Sequence, residues 1–335
     1  MKFSDMPFDK MVKVGNKHYL RENWFSVNWL LGRYCNYSCS YCWPYANTKV
    51  KDHRPIGIIK KTIDLIFNQS RERGFDKFSF SFSGGEPTFH PDFFEIVKHI
   101  KTEEISKINL TSNCSRSLKW MEQLAKYAKD LSVTASFHVE FADPKEFLKK
   151  VKFLKEAGAR IQINIVLLNE NFDKMWNHAQ YFYDHGISVQ AKIQIDYVNG
   201  TTIERKYTDE QLNKIWNGFP RITKSEYIFE MTDDSGRIYL VDNAERALGL
   251  GFNRFKGWLC DAGYRSIILT EPNGNIMRHY MCLDKPLGHI ETGFKLYDGP
   301  RECITEICGS CADCKIPKYK EKSCYSAPYL GSFKQ

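Results

Sequence analysis

Hydrophobic positions between residues 24 and 195 switch repeatedly from a period of two to a period near 3.6, which predicts strands alternating with helices. Residues 24–34, Trp24 to Tyr34, are rich in aromatic and branched side chains and run directly into Cys35, as a strand feeding a loop would. Ile56, Ile59, Ile63 and Ile66 then recur at helical spacing across 56–72, and Gly74 follows as a stop. Phe78, Phe80 and Phe82 alternate with Ser79, Ser81 and Ser83, the mark of a strand with two unlike faces.

The alternation continues through a helix at Phe93, Val97 and Ile100, a strand at Ile108 to Leu110, and a helix at Leu118, Met121 and Leu124. A fourth strand spans 131–137. Asp143 and Pro144 read as the N-cap and first turn of a helix carrying Phe147, Val151 and Leu154, closed by Gly158. Ile161, Ile163 and Ile165 form a fifth strand, 173–185 a helix, and Val189, Ala191, Ile193 and Ile195 a sixth strand. Six strands separated by helices imply an α/β fold with a parallel sheet and right-handed crossovers. Periodicity does not choose between a barrel and an open wound sheet, but both put functional residues at the carboxyl ends of the strands. The chain divides into a leader at 1–23, the alternating region at 24–200, a bridging region at 201–255 where the pattern loosens, and a distinct end at 256–335.

That end is distinct because it is cysteine-rich. Of 11 cysteines in the 335 residues, Cys260, Cys282, Cys303, Cys308, Cys311, Cys314 and Cys324 fall there. The first residues, Met1 to Asp5, lack the apolar stretch of a signal peptide, and no apolar run approaches the roughly 20 residues of a membrane span, so a cytoplasmic location without a membrane partner is expected. Reduced surroundings make metal or cluster ligation, rather than disulfides, the reason for so many thiols. The formal charge of +8 is spread without a block of five or six like charges and calls for no nucleic-acid partner.

Cys35, Cys39 and Cys42 form a C-x3-C-x2-C array in the loop after the first strand. Three closely spaced thiolates can bind a 4Fe-4S core and leave one iron open for a small ligand. A zinc site that borrows a fourth ligand, such as His53, is the alternative. Ser83-Gly84-Gly85-Glu86-Pro87 ends the second strand. Its glycines permit close backbone approach, and Glu86 can either accept a hydrogen bond from an ammonium group or brace the turn.

The cysteine spacing, the aromatic Tyr41 before the third cysteine, and the glycine-rich segment ending strand two together resemble the radical S-adenosylmethionine (radical SAM) superfamily over roughly residues 24–200. The resemblance implies a partial (β/α)6 TIM-like barrel whose catalytic 4Fe-4S cluster sits on Cys35, Cys39 and Cys42. S-adenosylmethionine would chelate the open iron, with Tyr41 and Gly84, Gly85, Glu86 and Pro87 at the cofactor. Reductive cleavage would then give a 5'-deoxyadenosyl radical that abstracts a substrate hydrogen, with an external electron donor such as flavodoxin or ferredoxin. Ser136 is expected at the cofactor ribose; Asn113, Asn164 and Val166 are further candidates, set against helix capping for the polar residues and core packing for Val166.

The C-terminal cysteines resemble the SPASM and twitch auxiliary-cluster extensions, in which a cysteine, a hairpin glycine and a second cysteine precede a later group. Thirteen residues separate Cys260 from Gly274, as that pattern allows, but seven precede Cys282 where SPASM proteins usually have four, and Cys308, Cys311 and Cys314 depart from the SPASM spacing. One auxiliary 4Fe-4S cluster is expected, led by Cys260 and Cys282 and completed by Cys308 and Cys311. Counting Cys303, Cys314 and Cys324, the thiols suffice for a second cluster if one iron stays open. A zinc ribbon is the alternative.

The expected function is net oxidation of a small molecule or a peptide side chain, the auxiliary cluster accepting an electron. His138 and Glu140 are candidate bases for the radical intermediate. Cys114 could instead return a hydrogen atom in a redox-neutral epimerisation or mutation, or serve as a small core residue. A non-catalytic iron-sulfur or zinc protein that binds nucleic acid is the alternative from another class.

Overall fold

In a computed structural model the residues described are 6–42, 48–51, 53–103, 106–198, 201–204, 206–222, 228–241, 252–270, 273–280, 282, 285–308 and 316–321. Cys311, Cys314 and Cys324 lie outside them.

The chain begins with β1 (Met11–Asn16) and a short helix α1 (Lys17–Arg21). The alternation follows as β2 (Trp24–Leu30), α2 (Ile56–Arg71), β3 (Lys77–Ser83), α3 (Phe93–Ile100), β4 (Ser106–Ser112), α4 (Leu118–Tyr127), β5 (Leu131–Phe137), α5 (Pro144–Glu156), β6 (Arg160–Val166), α6 (Phe172–Asp184) and β7 (Ser188–Lys192). Then come a hairpin β8 (Ile195–Val198) and β9 (Thr201–Glu204), α7 (Asp209–Asn217), β10 (Phe229–Asp233) and β11 (Ile238–Val241). The cysteine-rich end holds β12 (Leu259–Cys260), β13 (Ser266–Thr270), β14 (Asn275–Met277), β15 (Gly288–His289), β16 (Gly293–Phe294), β17 (Arg301–Glu302) and β18 (Lys318–Tyr319).

β2 to β7 pair in sequence order and in parallel, as the alternation requires. β7 and β16 are the two ends of this sheet, so hydrogen bonds among the described residues do not close the ring and the barrel is partial. The sixth strand stops earlier than its periodicity suggests, because the Gln194 N–H donates to the Tyr207 hydroxyl at 2.7 Å and Ile195 begins the separate hairpin. Local signals hold elsewhere: Asp143 caps α5 by accepting from Lys145 and Glu146, with Pro144 in the first turn.

Hydrogen bonding crosses the divisions at 23, 200 and 255. β13 extends the main sheet by pairing in parallel with β2. β1, from the leader, sits between β10 and β18 in a second sheet ordered β11-β10-β1-β18-β12-β17. The second sheet covers an apolar cluster of Met11, Val14, Phe229, Met231 and Phe255 that also contains Cys260, Cys303 and Cys308.

The main sheet has two unlike faces. One carries Phe78, Phe80, Phe82 and Phe137 into the helices, where Phe67 of α2 meets Phe78 edge-on at 4.6 Å and Phe182 of α6 meets Phe137 at 4.9 Å. On the other face the register sets Asn28, Ser81, Asn109, Ser132 and Arg160 in one row and Thr111, Thr134, Gln162 and Ser188 in the next. Hydrogen bonds join neighbours there, Asn109 to Ser79 at 2.8 Å and Arg160 to Ser132 at 2.9 Å. Phe80→Ala is expected to cost about 3–5 kcal/mol and Ser81→Ala about 1 kcal/mol or less in anaerobic urea denaturation. Equal losses would contradict the two-faced sheet.

Candidate active site

The Cys35–Cys42 loop leaves the carboxyl end of β2 and lies against the segment that leaves β3. Gly85 N–H donates to the Gly32 carbonyl at 3.0 Å and Glu86 N–H to the Tyr34 carbonyl at 2.7 Å. Gly84 has φ +119°, and a Cβ there would stand 2.4 Å from the Gly32 oxygen; one on Gly85 would stand 2.2 Å from the Tyr34 oxygen. Both glycines are therefore required by contact with the cysteine loop itself.

Glu86 is 3% exposed. Its Oε1 accepts from Thr88 N (3.2 Å), Thr88 Oγ1 (2.6 Å) and Ser112 Oγ (2.9 Å), and its Oε2 from Asn113 N (2.7 Å). These bonds tie the ends of β3 and β4 through the carboxylate. Pro87 begins the buried single-turn helix that follows. Asn113 passes the tie onward, its side-chain N–H groups reaching Asn36 Oδ1 at 2.9 Å and Cys35 Sγ at 3.9 Å. Cys114 is 2% exposed in the main apolar cluster, with φ 53°, and its thiol donates to the Ser112 carbonyl. Burial pushes that thiol up to about 12, and its environment is that of a small core residue.

The end of β5 grips the other side of the loop. Both Glu140 oxygens accept from Ser40, one from its N–H at 2.9 Å and one from its hydroxyl. His138 Nδ1 lies 3.0 Å from the Tyr41 hydroxyl, its ring stacks on Tyr41 and meets Tyr37 edge-on, and burial pulls its pKa down to about 4. In this geometry His138, Glu140 and Tyr41 hold the loop. Ser136 and Asn164 are neighbours on the polar face, where Gln162 donates to Asn164 at 3.0 Å. Val166 packs at the margin of the apolar cluster, as core packing would have it.

Cys35 and Cys39 are buried and Cys42 half-buried, none of them in a disulfide among the described residues. Cys35 Sγ accepts from Tyr37 N at 3.4 Å, and Lys49 Nζ clamps the loop by donating to the carbonyls of Cys35 (2.8 Å) and Tyr37 (2.9 Å). N–H groups aimed at sulfur favour thiolate over thiol. The donor set fits an iron-sulfur cluster with one uncoordinated corner. Among the described residues no group of three or more His, Cys, Asp or Glu side chains is placed to hold a single metal ion.

At the other end of the chain Cys260, Cys303 and Cys308 are buried in the second apolar cluster, with Cys282 packed against it. Between Gly274 and Cys282 the chain carries β14 and then His279 and Tyr280. Within this stretch His279 Nε2 lies 3.3 Å from Asn28 Nδ2 on the polar face, and burial pushes the Tyr280 hydroxyl up to about 12. Sequence reading missed His279 and Tyr280, for which the long Gly274–Cys282 spacing was the available signal. It also missed the clamps from Lys49, Ser40 and Asn36, which have no signal in the spacing.

The Radical SAM superfamily matches residues 29–204. A GTP 3',8-cyclase of Haemophilus ducreyi is 30% identical over 154 residues, 41% of this chain and 42% of that protein. An S-adenosylmethionine-dependent nucleotide dehydratase of Flammeovirga pacifica is 27% identical over 176 residues, 46% of this chain and 59% of that protein. The chain thus spans about half the length of these relatives. Two solved structures share the fold: native anSMEcpe with bound AdoMet (TM-score 0.53, 15% identity, covering 80% of this chain and 79% of that one) and Streptococcus suis SuiB bound to the precursor peptide SuiA (0.52, 17%, 83% and 65%). No helix among the described residues is long and apolar enough to cross a membrane.

Two outcomes test this geometry. Glu86→Gln places an amide N–H against the Asn113 N–H, and a loss of about 1–3 kcal/mol is expected in urea denaturation; wild-type stability would contradict the bracing role. His90, 5% exposed beside His53 with ring centroids 4.5 Å apart, accepts from Asp92 N through Nδ1, and burial followed by the His53 charge pulls it from 6.5 to about 4. The unfolded chain binds that proton first, so the stability from neutral His90 is complete above about 6.5 and is lost as pH falls toward about 4. His90→Asn, which retains an acceptor, should flatten the stability–pH slope by about 1.4 kcal/mol per pH unit in that window. An unchanged slope would exclude His90 as its source.

Proposed function

Because the chain belongs to the radical SAM superfamily, we propose that it is an enzyme holding a 4Fe-4S cluster on Cys35, Cys39 and Cys42 and abstracting a hydrogen atom from a small polar substrate. The observation that carries this reading is the grip of Gly84, Gly85 and Glu86 on the cysteine loop, which presents three thiols at the carboxyl edge of the partial barrel. When bound there, the cluster and S-adenosylmethionine supply a 5'-deoxyadenosyl radical, given an electron from an external donor such as flavodoxin or ferredoxin. The chain's own part is positional. Asn113, Ser40, Tyr41 and Lys49 fix the loop, and the hydroxyl and amide rows of the inner face offer hydrogen bonds to a substrate.

That inner face favours a small molecule rich in hydrogen-bonding groups over an apolar one. The names of the two relatives, a GTP cyclase and a nucleotide dehydratase, make nucleotides the first class to test. Net oxidation, with a second 4Fe-4S cluster on Cys260, Cys282, Cys303 and Cys308, is the accompanying reading of the reaction type. It is favoured by the burial of three of these thiols in one cluster.

Under anaerobic, reducing conditions 5'-deoxyadenosine should form faster with a nucleoside triphosphate than with free sugars or short peptides. Rates that do not differ among these would reject the nucleotide class. Formation that persists undiminished when Cys35, Cys39 and Cys42 are all alanine would reject the radical reading itself.

A further inference from the structure

The C-terminal thiols share their surroundings with a buried lysine. Lys318 is 1% exposed. It sits on β18 directly across the ladder from Cys260 on β12, so the register alone places the two side chains side by side. Its ammonium donates to the Ile316 carbonyl at 3.0 Å and lies 5.0 Å from the centre of the Phe255 ring, and its charge opposes the upward push of burial on the Cys308 thiol. The other charges packed here are Asp261, 0% exposed, Arg265, 1% exposed, and Lys13, which lies across the ladder from Tyr319; Asp261 and Arg265 pair at 3.1 Å, Tyr319 donates to Asp261 at 3.3 Å, and the charges of Lys318 and Lys13 also act on Asp261. Burial pushes the Cys260 thiol up to about 12, and the Lys318 charge opposes that rise first.

An ammonium held out of water needs negative charge close by. The Asp261 carboxylate supplies part of it, and Cys260, directly across the ladder, and Cys308, once deprotonated, add to it. We propose that Lys318 is the fixed countercharge of the C-terminal thiolate centre and raises the reduction potential of the iron-sulfur cluster held there, an inference that rests on the auxiliary-cluster reading. A 4Fe-4S core on four thiolates carries a charge of about -2 when oxidised and about -3 after taking up one electron. A cation at fixed distance in a weakly polarisable site stabilises the more negative state more. Hydrogen bonds to the sulfurs act in the same direction.

Wild type, Lys318→Met and Lys318→Arg would be purified and reconstituted anaerobically, analysed for iron and sulfide, and titrated with dithionite while the reduced clusters are followed by electron paramagnetic resonance. About eight irons per chain are expected, with the auxiliary midpoint shifted to more negative potential in Lys318→Met, near wild type in Lys318→Arg, and the catalytic midpoint unmoved in both. Two loaded clusters with an unshifted auxiliary midpoint in Lys318→Met would overturn the role of Lys318 and leave the cluster reading intact. About four irons in wild type, with or without zinc, would overturn the cluster reading and the lysine's role with it. If Lys318→Met fails to hold the second cluster, its retention in Lys318→Arg supports the countercharge, and its loss from both variants overturns it.

Discussion

The site depends on the contact between two stretches of backbone, Gly32–Tyr34 leaving β2 and Gly84–Glu86 leaving β3. The two parallel strands end side by side, so their exits compete for the same space, and glycine at 84 and 85 is what allows the exits to touch. Two short backbone hydrogen bonds then fix the direction in which Cys35 enters its loop. Everything further out, from Asn113 on Asn36 to Glu140 on Ser40, tightens a path already chosen there. Glu86 serves this contact from beneath. Its burial with four donors ties β3 to β4, so the cysteine loop is braced by the sheet rather than by its own short-range bonds.

The sheet gives that edge a setting of unlike faces. Packing of phenylalanines against α2, α3 and α6 consumes one face, which leaves hydroxyl and amide side chains for the interior. The parallel pairing of β13 with β2 brings the cysteine-rich end onto the same sheet, and from there Arg278, His279 and Tyr280 follow β14 toward the inner face.

The six parallel strands β2 to β7 were legible because each is local: period-two stretches such as Phe78 to Ser83 and caps such as Asp143 declare themselves within a few residues, whereas the pairing of β13 with β2 does not. The cysteine loop and the Gly-Gly-Glu-Pro segment were legible as motifs for the same reason. The second sheet was not, since β1 pairs with β10 and β18 across more than 200 residues and each partner is short. Side-chain roles followed the same division. That Glu86 would meet a ligand or brace a turn depended on Ser112 and Asn113, which only folding brings near, and the buried site of Lys318 has no mark among 48 basic residues.

The two thiol sets are supported by different electrostatics. Around Cys35 the nearest donors are neutral, a backbone N–H from Tyr37 and an amide from Asn113, while the Lys49 ammonium is turned to carbonyl oxygens. Around Cys260 and Cys308 the Lys318 charge acts within an apolar cluster, beside a backbone N–H from Ala262 at Cys260. Dipoles aimed at sulfur lower the energy of thiolates modestly, whereas an unscreened cation favours each added electron in proportion to its charge. On the proposed two-cluster reading, a centre poised by dipoles would hold its electron more loosely and suit donation, and one poised by a buried cation would hold it more firmly and suit reception. The lysine stands on a strand that pairs with β1 on one side and, on the other, with β12, where Cys260 faces it across the ladder.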